Sequence, residues 1–224
     1  MMRKAIIAED HNIVGIVNSE IKRLGMNADL NHIDVSQVTD MKYLFHRSDF
    51  NGDISEWDMS KVESTRFMFY NSKFNKDISK WNTQSILDMR GMFNNSEFEG
   101  DLSKWNTLSV RDVSILFRCA VFNGDLSGWD VSSVKNMSAM FENSLFNGDI
   151  SKWDVSSLVW ANDMFNNSQF DQDISLWKFN SYLVLDDDMK RVIAKSYELK
   201  RIYELENLRN SISGKQNSNL IKSL

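Results

Sequence analysis

A single cysteine, Cys119, stands among 224 residues, so no internal disulfide framework is available and a reducing compartment is expected. Only three histidines occur, His11, His32 and His46, and none has metal-ligand or triad spacing. Phosphate-binding glycine loops and zinc motifs are missing too. No enzymatic activity, catalytic residue, cofactor or metal ligand is therefore expected. Positive charge is in deficit: 26 Lys and Arg against 31 Asp and Glu leave a net charge of -5. Binding a polyanion needs a basic stripe, so direct contact with nucleic acid is not expected. No apolar run reaches the roughly 18 residues that span a bilayer. The N-terminal MMRKAIIAEDHNIVGIV breaks its apolar stretch at Glu9 and Asp10, unlike a secretory signal. These absences together predict a cytoplasmic protein with no membrane contact. Proline is also wholly absent, and the sequence alone supplies no functional reason for that.

What is present is repetition. One 24-residue segment recurs six times without insertion or deletion, starting at Ile33, Trp57, Trp81, Trp105, Trp129 and Trp153; a seventh copy opens at Trp177 and stops. A period in this range marks stacked repeats, in which each unit buries its apolar face against its neighbours. With 42% hydrophobic residues the chain can bury one continuous core. Phe45, Phe50 and their equivalents every 24 residues account for twelve of the fourteen phenylalanines, so these rings are ladder residues. Met68, Met92, Met140 and Met164 share a slot with Leu44 and Leu116 and read as core filling.

Each copy carries apolar residues at i, i+3, i+6 and i+7, as in Val38, Met41, Leu44 and Phe45. That spacing predicts a short helix, with Asp34 or Ser36 as its N-cap. The second half, FNGDISxW, predicts a turn followed by a very short extended segment. The expected fold class is an α/β repeat: a leucine-rich-repeat-like solenoid of six 24-residue coils, each a short helix plus a short strand. Strand stacking at about 4.8 Å would make a slab on the order of 30 Å long. Residues 1–32 form a β-α N-terminal cap, with a strand over 3–8 and a helix capped by Asp10 or Asn12 and ended by Gly25. The solenoid occupies 33–180. Residues 181–213 are expected to form a C-terminal helix that either caps the last coil or joins copies of the chain through 186–212, and 214–224 are expected to form a flexible tail.

The string FNGDISKWDVSSV, with the flanking M-x-x-MF, resembles the BspA-like leucine-rich repeat, the mycoplasma-lipoprotein type. The resemblance covers residues 33–177, and the ladder residues Trp129, Val134, Met137, Phe141, Phe146 and Ile150 match its motif. It implies a leucine-rich-repeat-like solenoid and a role in protein binding. Many relatives are surface proteins that adhere to host molecules, and similar arrays occur in phage and mobile-element proteins. A secretion signal, a lipid-attachment cysteine near the N-terminus and a cell-wall anchor are not seen here, which favours action inside the cell.

Two sets of columns carry the remaining chemistry. Asp53, Asp77, Asp101, Asp125, Asp149 and Asp173 recur in register, and stacked carboxylates repel by roughly 1 kcal/mol per neighbour even in water. Calcium between coils is one remedy; backbone N–H bonds within each Asn-Gly-Asp turn are the cheaper and expected one. Other columns vary: Tyr43, Phe67, Gly91, Ile115, Ala139, Asp163 in one, and Asp49, Lys73, Glu97, Val121, Leu145, Gln169 in another. Variable positions on a constant scaffold are where a binding surface can be written. The candidate protein-binding residues are Tyr43, His46, Arg47, Phe67, Tyr70, Ile115, Arg118, Val121 and Leu145. The expected function is recognition of a protein partner, in one form as a phage- or mobile-element-type inhibitor that occludes a host nucleic-acid-binding or defence protein. Two alternatives are a structural subunit of a larger assembly, such as a virion, and a bacterial surface adhesin.

Overall fold

Within the repeats the backbone divides its hydrogen bonds between its own turn and the next copy. In the first repeat the N–H groups of Met41, Tyr43, Phe45 and Arg47 donate to the carbonyls of Ser64, Arg66, Met68 and Tyr70 at 2.8–3.0 Å. The intervening N–H groups of Leu44, His46 and Ser48 fold back onto Met41, Tyr43 and Phe45, three residues earlier. The same alternation runs through Thr65–Asn71, Met89–Asn95, Val113–Cys119 and Met137–Asn143. Single parallel bridges join Asp40 to Ser64, Ser64 to Asp88, Asp88 to Asp112, Asp112 to Asn136 and Asn136 to Trp160. The chain is thus a repeat protein whose equivalent positions pair from copy to copy.

The computed structural model describes residues 5–198, 200–202 and 204–205. Among them the regular elements are β1 (Ile6–Ile7), α1 (Ile13–Leu24), β2 (Ile33–Asp34) and a C-terminal helix, α2, over 187–198 that is again helical at 200–202 and 204–205. The short helix expected over Val38–Phe45 and its equivalents does not form; those residues are a chain of turns. The apolar spacing suits both, because a turn that closes at i+3 also returns side chains to one face. An α-helix would spend every N–H internally, whereas here every second one ties two repeats together. Left-handed residues at Tyr43 and Arg47, with φ of 60° and 54°, also break any helix. Nor does the FNGDIS segment supply the sheet: the bridges that run the length of the stack lie in the Asp40 column instead. The presumed helix caps are Asx turns, as in Ser36 N–H to Asp34 and Ser132 N–H to Asp130 at 3.0 and 2.9 Å.

Such side-chain turns recur at four columns of the repeat, headed by Asp34, Asp40, Ser48 and Asp53, each accepting the N–H two residues on. A fold that turns its corners this way needs few glycines. It has no place for proline in the alternating stretch, where each N–H has a partner to reach.

The core runs the length of the stack as aromatic ladders. Phe45, Phe69, Phe93, Phe117, Phe141 and Phe165 stack with centroids 5.5–5.9 Å apart. Each also packs on its partner in the second ladder, Phe45 on Phe50 at 4.8 Å and Phe117 on Phe122 at 4.4 Å. The tryptophans point the same way: Trp57, Trp81, Trp105, Trp129, Trp153 and Trp177 donate their indole N–H to Leu30, Ile54, Ile78, Leu102, Leu126 and Ile150 carbonyls at 2.9–3.1 Å. A buried indole N–H without an acceptor would cost about 1–3 kcal/mol, so each tryptophan pins two repeats in register.

Both ends are closed by carboxylates that imitate a missing repeat. Inside the stack, the N–H groups of Glu63 and Ser64 donate to the Thr39 carbonyl, and those of Leu87 and Asp88 to Glu63. The first repeat has no such predecessor, and the Asp10 carboxylate takes the place of that carbonyl, accepting from Thr39 and Asp40 N–H at 2.7 and 3.1 Å. Asp10 therefore does not cap α1; Asn12 stands at its N-cap with its Oδ1 accepting from Glu9 N–H at 2.8 Å and no side-chain bond to the helix, and Gly25, at φ 95°, ends it by donating to Ile21. At the other end Asp163 and Phe165 donate to the Asp186 and Asp188 side chains, 23 residues on, the offset at which Tyr43 and Phe45 find backbone carbonyls. Helix α2 then covers the last repeat, with Met189 fully buried and the Ser196 hydroxyl accepting from Ile174 N–H at 3.1 Å. The distal part of that segment, 206–213, and the tail at 214–224 lie outside the described residues, as do Leu199 and Tyr203.

Phe117 touches Phe93, Phe122, Trp129 and Phe141, so truncating it opens both ladders in mid-stack. Phe117→Ala is expected to cost about 3–5 kcal/mol, read from the urea midpoint; an unchanged midpoint would show that the ladders do not hold the fold.

Candidate protein-binding face

Two columns of the repeat adopt left-handed backbone, and their side chains differ in kind. One reads Arg47, Asn71, Asn95, Cys119, Asn143 and Asn167, with φ of 51–55°. Asparagine tolerates this region best after glycine, so four of these six residues are what the backbone asks for. Cys119 is a substituted member of that column. The other reads Tyr43, Phe67, Gly91, Ile115, Ala139 and Asp163, with φ of 50–61°. Two aromatic rings and a β-branched side chain are placed where each costs roughly 1–2 kcal/mol of backbone strain. The stacking of two such rings returns only about 0.5–1.5 kcal/mol beyond the area it buries, less than the strain of the two positions.

These side chains meet. Tyr43 stacks on Phe67 at 5.4 Å and 14°, His46 stacks on Tyr70 at 4.9 Å, and Phe67 meets Tyr70 edge-on at 5.7 Å. The Arg47 guanidinium lies 5.9 Å over the Tyr70 ring and that of Arg66 5.5 Å over Phe67. Tyr43, His46, Arg47, Phe67, Tyr70, Asn94 and Ile115 line one open depression of about 380 Å³ that spans the first four repeats. Tyr43 is 46% exposed, which leaves its ring face available. Burial and the neighbouring Arg47 hold the His46 imidazole below its ordinary pKa, so the ring is neutral at pH 7.

Six of the nine residues picked from sequence thus lie in one place. Arg118 is not among the lining residues; it is paired with Glu142 in the next repeat. Val121 and Leu145 are exposed, at 38% and 51%, and also fall outside the lining. Sequence reading missed two contributors. Asn94 is buried at 4% and lines the depression from the slot that holds Tyr70 one repeat earlier and His46 two repeats earlier, a column that could have revealed it. Gly91, outside the lining, makes room for it: a Cβ there would sit 2.4 Å from Phe67 Cε1, so the Phe67 ring lies across the next repeat only because that position is bare.

The aspartate column is a separate feature. Asp53, Asp77, Asp101, Asp125, Asp149 and Asp173 each accept the N–H of the serine two residues on, at 2.7–2.9 Å. Hydrogen bonds from that serine hold the first five below the ordinary carboxylate pKa and outweigh the repulsion between successive aspartates. Among the described residues no group of three or more His, Cys, Asp or Glu is arranged to hold a metal ion. No helix among them is long and apolar enough to cross a membrane.

Geometry therefore defines a repeat protein with a single-chain aromatic depression across its first four copies. The family described as Mycoplasma protein of unknown function, DUF285, matches residues 17–120 and again 94–204, and the chain belongs to that family. No curated protein and no solved structure matches the chain.

Two outcomes follow. Gly91→Ala places a methyl group inside the Phe67 ring at a left-handed position, and is expected to displace that ring and cost about 1–3 kcal/mol, measured by chemical denaturation together with the Tyr43 and Phe67 ring shifts in NMR. For Asp53, Asp77, Asp101, Asp125 and Asp149, folded pKa values below the unfolded ones mean their stabilisation is complete above about pH 5 and is lost as pH falls through the folded values. Thermal melts should therefore be unmoved by calcium or chelator at pH 7 but fall steeply below about pH 4; a large calcium-dependent rise would show that the column binds metal.

Proposed function

We propose that this protein is a non-enzymatic protein-binding solenoid of the leucine-rich, BspA-like kind that holds a partner protein across the Tyr43–Ile115 depression and acts inside the cell. The observation that carries this reading is the strained column: Tyr43, Phe67 and Ile115 occupy backbone positions where glycine or asparagine is cheaper, and their side chains gather at one exposed, aromatic-walled hollow. Strain held at a surface cluster is a mark of function because a packing role would not require it. Tyrosine and arginine are also the residues that dominate binding energy at protein interfaces. In its sharpest form the reading is of a phage- or mobile-element-type inhibitor that occludes a nucleic-acid-binding or defence protein of a host.

A second reading, self-assembly at the C-terminal end, is favoured by a different observation. Trp160, Leu176, Tyr182, Val184 and Tyr197 are exposed by 55–84% near where the repeat pattern is abandoned. The two readings separate in one experiment. Combining Tyr43→Ala, Phe67→Ala and Ile115→Ser should abolish capture of the partner from lysate, as identified by mass spectrometry, while a single cooperative melt is kept. Capture that survives in the triple variant would rule this face out, and light scattering on the same preparation reports whether copies associate through the other end.

A further inference from the structure

The depression has a charge of its own, opposite to that of the chain. Arg47 is exposed, lies over Tyr70, and forms no ion pair among the described residues. The carboxylates near it in sequence are engaged elsewhere: Asp40 with Lys42 at 2.6 Å and Asp49 with Lys73 at 3.0 Å. Glu142, across the stack, is held by Arg118. Arg66 lies over the Phe67 ring with its buried Nε lacking any hydrogen-bond partner. His46, neutral at pH 7, leaves that positive charge to the guanidinium groups. The result is an aromatic depression with the Arg47 guanidinium in its lining and that of Arg66 on the Phe67 ring beside it, on a protein whose net charge is -5.

From this complementarity we infer that the depression takes an acidic peptide segment, a carboxylate side chain on Arg47 beside a large apolar or aromatic one laid against Tyr43, Phe67 and Ile115. This rests on the proposed function and names the chemistry of its partner. A guanidinium already stacked on Tyr70 is pre-oriented, so it loses little freedom when a carboxylate docks on its fork. The rings offer flat apolar area at low entropic cost. A single-stranded nucleic acid would also find rings and cations here, but its successive phosphates require a basic track, and the site offers one local cluster.

The test uses the full chain and three short peptides with blocked ends, Gly-Glu-Phe-Glu-Gly, the same with both glutamates replaced by lysine, and the same with phenylalanine replaced by alanine, followed by backbone NMR. The glutamate-phenylalanine peptide is expected to move the resonances of His46, Gly91 and Ile115, with affinity falling as salt is raised. Arg47→Ala should weaken it by about tenfold or more, as loss of a charge-assisted hydrogen bond implies, while Arg47→Lys restores part of the affinity. Failure of that peptide to shift these resonances, equal binding by the lysine peptide, unchanged affinity in Arg47→Ala, or tighter binding of a decathymidylate at the same resonances would each overturn the inference. Binding of the lysine peptide alone at these residues would remove the acidic preference and leave the binding face standing. Retained partner capture by the triple variant would remove the face itself.

Discussion

Alternation of the backbone N–H groups is the constraint on which the rest depends. In each repeat one set of donors closes local turns and the other reaches the following copy, so no repeat can satisfy its own main chain. Leaving a buried N–H unmet is costly, and this makes the stack cooperative from one end to the other. It also accounts for the aromatic ladders. Once the hydrogen bonds bring equivalent residues into register, Phe45 must lie on Phe69 and Trp81 on Trp105, and the rings fill the interior with one repeated contact. The indole bond to a carbonyl 27 residues earlier then locks that register from the opposite side of the repeat.

A structure built by handing bonds onward has a problem at each end, and side chains solve it. Asp10 stands where a preceding carbonyl would be, and Asp186 and Asp188 stand where following ones would be. Of these, Asp188 is the more costly, since burial raises its carboxyl pKa; N–H donation from Phe165 and the ion pair with Arg191 offset that cost. Carboxylates at both ends of the described stack thus accept N–H donors for which no repeat supplies a carbonyl.

The candidate site arises because the scaffold's backbone is indifferent to what its outer columns carry. Every repeat presents a left-handed residue at the Tyr43 position whatever its side chain, so the geometry is supplied by the ladder and the chemistry by substitution. Successive choices are not independent. Phe67 can lie flat only because the next position in the column is Gly91, and Tyr43 can stack only because Phe67 lies flat.

The period, the twelve ladder phenylalanines, the tryptophan slot and the columns that depart from the pattern are all legible in the sequence, because each is a matter of which residue type recurs every 24 positions. Six of the lining residues could be chosen on that basis. The local conformation could not be: an apolar residue at i, i+3 and i+7 satisfies a helix and a chain of turns equally, and what separates them is whether an N–H bonds four residues back or 23 residues ahead. Only the neighbouring repeat, once present, decides that. The same reason hides the end caps, the left-handed strain under Tyr43, Phe67 and Ile115, and the roles of Asn94 and Gly91, each of which depends on a group in another repeat or at the far side of a cap.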